Sequence, residues 1–182
     1  MYDIVFDLET TGVDLLVDLP VQIAFLIANE KGMVLAKGSD YLKEFSTPTH
    51  PMAEKVHGIT DEVKRTQGKE PQGVAEHFKY VLKQYQPARL VGYNSINFDY
   101  PIFTRWMCKY VPGKYKLPVF CQLVDVMHLG GLYLKSNKWL KLKVMAERFG
   151  IDTSTINWHD ALADVEVTYE IWKKIKSQMH TL

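Results

Sequence analysis

Long apolar runs are absent from this 182-residue chain, cysteine is scarce, and neither sign of charge dominates. No uninterrupted apolar stretch approaches the roughly 20 residues that a membrane-spanning helix needs, so no membrane insertion is expected. Met1 is followed at once by a strand-like segment, without the basic start and apolar core of a secretory leader, and a cytoplasmic, intracellular setting is expected. The two cysteines, Cys108 and Cys121, sit in no CxxC or zinc-ligand spacing and are expected as reduced thiols. With 22 Lys and Arg against 21 Asp and Glu, the net charge is +1, which excludes a global field drawing the molecule onto a polyanion. Any contact with nucleic acid has to be local.

What is present is enough apolar residue, 47% of the chain, to close one sizeable core. No repeat, low-complexity tract or linker interrupts residues 1–182, which are read as one domain. Residues 2–7, 21–29 and 33–45 carry strand chemistry and predict an antiparallel meander. Helical patterns at 72–85 and 98–110 flank a short strand at Arg89 to Tyr93, and another strand is predicted at Pro118 to Leu123. Helices are predicted at 125–134, at 139–149 before Gly150, and at 159–178, where Leu162, Val165, Tyr169 and Trp172 share a face. The order predicts a three-layer α/β/α domain with a mixed, roughly five-stranded sheet.

Three acidic segments stand out. Asp7 and Glu9 are two apart on a strand, so period-2 geometry turns both to one face. Such a pair is comfortable only in water or beside cations, and its hard oxygens suit Mg²⁺ or Mn²⁺. Taken alone, it reads equally as a solvated strand end. Asp99 falls where Asn97-Phe98 enters a helix, and alone it reads as a helix cap. Asp164 lies near the apolar face of the last helix, where an acid is costly without a partner, and His159 stands at that helix's mouth. Alone, His159 reads as a surface or capping histidine.

Together these segments resemble the three exonuclease motifs of the DnaQ-like (DEDDh) 3′-to-5′ exonuclease superfamily, whose folds are RNase H-like. Asp7-Leu8-Glu9-Thr10-Thr11-Gly12 resembles the first motif, Asn94 to Asp99 the second, and His159 to Asp164 the third in its histidine form. His57-Gly58-Ile59-Thr60 resembles a loop common in bacterial proofreading subunits, and Arg148 to Asp152 resembles the approach to the third motif. One departure stands in the second motif. Four residues separate Asn94 from Asp99 where many relatives have three, and Tyr93 replaces a frequent His, as in the exonuclease domains of family B DNA polymerases.

The resemblance implies two divalent cations, Mg²⁺ or Mn²⁺, held by Asp7, Glu9, Asp99 and Asp164, with His159 as general base. It implies stepwise release of nucleoside 5′-monophosphates from a 3′ end of single-stranded nucleic acid, with DNA slightly favoured over RNA. Expected substrate contacts are Leu8, Thr10, Thr11, His57 and Asn94. Lys109 to Lys116 and Lys135 to Lys143 interleave lysine with Tyr or Trp, which suits either phosphate and base contact or a solvated face. An RNA-trimming enzyme, a polymerase-bound proofreading subunit, a homodimer and an RNase H-type endonuclease are the alternatives.

Overall fold

The computed structural model describes residues 1–111 and 122–179. Five strands form one sheet in the order β3-β2-β1-β4-β5: β1 Tyr2–Thr10, β2 Pro20–Ala28, β3 Val34–Tyr41, β4 Ala88–Gly92 and β5 Gln122–Asp125. The first three strands pair antiparallel, as the meander reading expects, while β4 runs parallel to β1 and β5 parallel to β4. The sheet is therefore mixed, and β1 sits at its centre.

Alternation along β1 builds the layers. Ile4, Phe6 and Leu8 face one core together with α3 (Pro71–Gln84) and α4 (Asp99–Tyr110). Val5 faces the other with α6 (Leu142–Arg148) and α7 (Ala161–Met179), and Val126 at the start of α5 (Val126–Tyr133) joins them. The three-layer α/β/α, RNase H-like architecture is thus present.

Two helices were not anticipated from periodicity: α1 (Pro51–His57) and α2 (Asp61–Gln67). Each has seven residues, too few for an apolar stripe to register, but their local chemistry is clear. Pro51 occupies the first turn, the His50 side chain accepts from the Met52 amide, and Gly58 closes α1 in the left-handed region with φ 71°. The Thr60 side chain accepts from Val63 N to start α2. Other boundaries shift. The third strand ends at Tyr41 rather than 45, the helix expected at 139–149 occupies 142–148, and the last helix begins at Ala161 rather than 159. Residues 118–121, including Cys121, lie outside the described residues, as does most of the run 109–116. No described helix is long and apolar enough to cross a membrane.

Candidate active site

The face of β1 that turns toward α7 carries three acids in period-2 order, Asp3, Asp7 and Glu9. Their partners differ. Asp3 is fully buried between two cations, with Arg89 Nε 2.6 Å from one oxygen and the Lys176 ammonium on the other. Asp7 and Glu9 have no ion-pair partner among the described residues; Asp99, Asp164 and Asp160 surround them instead. A strand that pairs one acid with two cations and leaves the next two among like charges has room for cations from outside the chain.

Asp99 is the first residue of α4 and 4% exposed, but it does not cap the helix. Its Oδ1 accepts from the Leu8 amide of β1 at 3.1 Å, across 91 residues of chain. That bond pins the second motif to the first. Asp164 lies in the first turn of α7, closer to the helix start than sequence spacing implied, and its Oδ1 is buried with no hydrogen-bond partner. The helix itself is capped by Asp160, whose Oδ1 accepts from Leu162 N and Ala163 N at 3.1 Å. His159 precedes the helix, is exposed, and holds a left-handed backbone with φ 65°.

One ligand atom each from Glu9, His159 and Asp164 lies within 4.8 Å of the others. Asp7 and Asp99 stand outside this close group and are joined to it by charge. Burial, then Asp99, Glu9, Asp164 and Asp160, hold the Asp7 carboxyl well above the usual carboxylate range. Burial first, and then the neighbouring acids, push Glu9 up to about 8. Burial also raises Asp99 to about 7 against the opposing Leu8 hydrogen bond. It raises Asp164 to about 6 against a bond from the His159 amide. An orphaned buried carboxylate oxygen and a set of hard oxygen donors that repel one another fit divalent cations.

The sign of this repulsion gives a pH prediction. In an unfolded chain these acids ionise near pH 4, so between about pH 4 and 8 the metal-free folded state binds more protons than the unfolded one. Stability conferred by the protonated acids is present below pH 4 and is lost as pH rises through the folded values. The melting temperature of EDTA-treated protein should fall from about pH 5 to pH 8, and added Mn²⁺ should restore most at the upper end. A flat profile indifferent to Mn²⁺, followed by scanning fluorimetry, would contradict this.

The expected substrate contacts separate into two groups. Leu8, Thr10 and His57 line a cavity of about 850 Å³ beside Glu9, together with Val13, Val17, Met52 and Val56. Both His57 ring nitrogens are engaged, one 3.2 Å from Thr10 O and the other accepting from Ile59 N, so His57 offers ring surface rather than a free nitrogen. Thr11 is fully buried; its hydroxyl donates to Asp18 and accepts from Leu19 N, which makes it a support of the loop. Asn94 sits at φ 56° with its amide on Asp125, a left-handed turn that Asn tolerates.

Asp125 was not singled out from sequence, though an acid ending an apolar strand was the signal. It is 4% exposed at the end of β5, and its carboxylate accepts from the amides of Asn94, Ile96 and Met127 at 3.0–3.2 Å. It thereby fixes residues 94–96 of the loop that leads to Asp99. Gly92 opens that loop, and a Cβ there would lie 2.4 Å from the Ser95 Cβ. Asp125→Ala should cost about 2–3 kcal/mol by stranding these amides, read as a lower urea midpoint at unchanged slope. An unchanged midpoint would deny Asp125 this role.

Comparison with known proteins follows the same lines. The RNase_T family, described as Exonuclease, matches residues 4–172. The chain belongs to the RNase_T exonuclease family. It is thus a nuclease domain of the DnaQ-like superfamily. A search of curated protein sequences returned no match. Among solved structures, E. coli exonuclease I with a dA16 oligonucleotide is similar at TM-score 0.83 and 22% identity, over 97% of this chain and 41% of that one. The zinc-bound E. coli ExoI-ssDNA complex gives 0.79 and 22%, over 97% and 40%. A moderately thermophilic exonuclease I from Methylocaldum szegediense gives 0.80 and 19%, over 97% and 40%. At these identities the likeness is one of fold, and this RNase_T chain spans about two fifths of those proteins' length.

Proposed function

We propose that this chain is a 3′-to-5′ exonuclease domain acting on single-stranded nucleic acid, DNA before RNA, and releasing nucleoside 5′-monophosphates. The observation that carries the proposal is the contrast along β1, where Asp3 is neutralised by Arg89 and Lys176 while Asp7 and Glu9 have no ion-pair partner among the described residues and stand among further acids, with the exposed His159 beside Glu9. Asp7, Glu9, Asp99 and Asp164 would hold two divalent cations, Mg²⁺ or Mn²⁺. Bound there, divalent cations would supply Lewis-acid activation of a water and stabilisation of the charge that develops on the phosphate.

The chain's own residues do the rest. Asp99, held on Leu8 N, keeps the first and second motifs in register. His159 is exposed at the mouth of α7 with a ring nitrogen in the same group as Glu9 and Asp164, a place from which it takes the proton of an attacking water and passes it to solvent. The cavity beside Glu9 admits a terminal nucleotide, with Leu8, Phe98 and Met52 offering apolar surface to base and sugar. DNA is placed first because the similar solved structures carry dA16 or ssDNA.

The test uses 5′-labelled single strands of DNA and RNA of one sequence, and an RNA-DNA hybrid, with Mg²⁺, Mn²⁺ or EDTA, read on denaturing gels. A metal-dependent ladder shortening from the 3′ end is expected. Intact strands in every lane, or internal cuts confined to an RNA-DNA hybrid, would overturn the proposal.

A further inference from the structure

We propose that the exposed face built by Trp139, His128, Lys135, Lys138 and Lys141 is a second contact surface for single-stranded nucleic acid, stacking a base upstream of the terminal nucleotide. It rests on the exonuclease reading and extends it to residues outside the carboxylate site. Trp139 is 72% exposed, while Trp106 and Trp172 are buried in the two cores. The indole is nonetheless held, edge to face with the His128 ring at 4.8 Å between centroids. Beside it lies a cavity of about 360 Å³ bordered by Leu132, Asn137 and Lys138. The loop has defined structure: the Ser136 hydroxyl donates to Lys138 O at 2.9 Å, and Ser136 N donates to Gly131 O at 2.9 Å.

Charge points to the occupant. Between Asp125 and Glu147 the chain has no acid but carries Lys135, Lys138, Lys141 and Lys143, all exposed. None of these four forms an ion pair with a described residue, whereas Lys37, Lys43, Lys69 and Lys173 each do. Lysine is depleted from protein–protein contacts, while unpaired cations beside an exposed aromatic ring suit a phosphate backbone and stacked bases.

Two links join this face to the site. The His128 backbone amide donates to Asp125 Oδ1 at 3.4 Å, its Nδ1 lies 3.2 Å from the same oxygen without making a hydrogen bond, and Asp125 holds the amides of Asn94 and Ile96. At the other end of the loop, the Tyr93 hydroxyl donates to Leu140 O at 2.5 Å. The loop that carries Trp139 is therefore tied to the segment that leads into Asp99.

The experiment has two arms. The first is anisotropy of a 5′-labelled single strand of about 12 nucleotides in EDTA at several salt concentrations. The second is Mn²⁺-dependent turnover of that strand and of the p-nitrophenyl ester of thymidine 5′-monophosphate. Trp139→Ala should raise Kd about 5- to 150-fold, with Trp139→Phe restoring most of the affinity. The ratio of kcat/KM for the strand to that for the ester should fall by a similar factor. Replacing Lys135, Lys138 and Lys141 together by Gln should flatten the salt slope by about 2. Wild-type affinity and an unchanged ratio in Trp139→Ala would overturn the inference and leave the face to a protein partner. Failure of the wild type to hydrolyse either substrate would instead sink the exonuclease reading, while the binding arm still decides the role of Trp139.

Discussion

Asp7→Asn is expected to lower turnover steeply and, in the same protein, to raise the melting temperature measured in EDTA. Both effects come from one carboxylate. Asp7 is raised well above the ordinary range by burial and then by Asp99, Glu9, Asp164 and Asp160, so ionising it in the metal-free fold is unfavourable. Asparagine keeps the shape and removes the charge. At about pH 8, where unfolded Asp7 is ionised, the substitution should stabilise by about 1 kcal/mol, and at about pH 4 the gain should vanish. For a chain of this size that is a rise of about 2–4 °C. Turnover should fall on the order of 10²- to 10³-fold or more, the scale of removing one electrostatic stabiliser of a transition state. Mn²⁺ should then raise the melting temperature less than in the wild type. A variant that is both active and metal-responsive would show that Asp7 holds no essential cation. The control on the same strand face is Asp3→Asn, which should destabilise, because it leaves Arg89 and Lys176 without their shared partner.

His159→Gln is expected to lower kcat about 10²- to 10⁴-fold while leaving the Mn²⁺-dependent rise in melting temperature in place. The side chain is exposed and precedes α7, so its loss removes no core packing. Two outcomes distinguish its possible roles. If turnover falls and the thermal response to Mn²⁺ persists, His159 moves a proton. If the response disappears as well, His159 is a ligand, a role its closeness to Glu9 and Asp164 also permits. Unchanged kcat would remove it from the mechanism.

Much of the site was legible because its parts are local. Two acids two residues apart on a strand must share a face, whatever the rest of the chain does, and His159 and Asp164 flank a helix start recognisable from its apolar period. The meander and most helices follow from periodicities that depend only on neighbours in sequence, and the order of the elements pointed to a mixed sheet, whereas the parallel pairing of β4 with β1 was settled by the fold. The short helices α1 and α2 escaped because they carry caps but no stripe, and capping chemistry in a seven-residue segment competes with turn chemistry built from the same residues.

The amino-acid sequence by itself determined which segments carry carboxylates, that Asp7 and Glu9 share one strand face, and that no broad charge field surrounds the molecule. Only the tertiary structure decided which acids are neutralised from within the chain. Asp3 and Lys176 are 173 residues apart, and Leu8 and Asp99 are 91 apart. No local pattern says that Asp3 is satisfied while Asp7 is not, that Asp99 turns to a strand instead of capping its helix, or that Asp125 holds the loop between them. A carboxylate's energy is set by the charges and amides that surround it in space, and those are assembled by the fold.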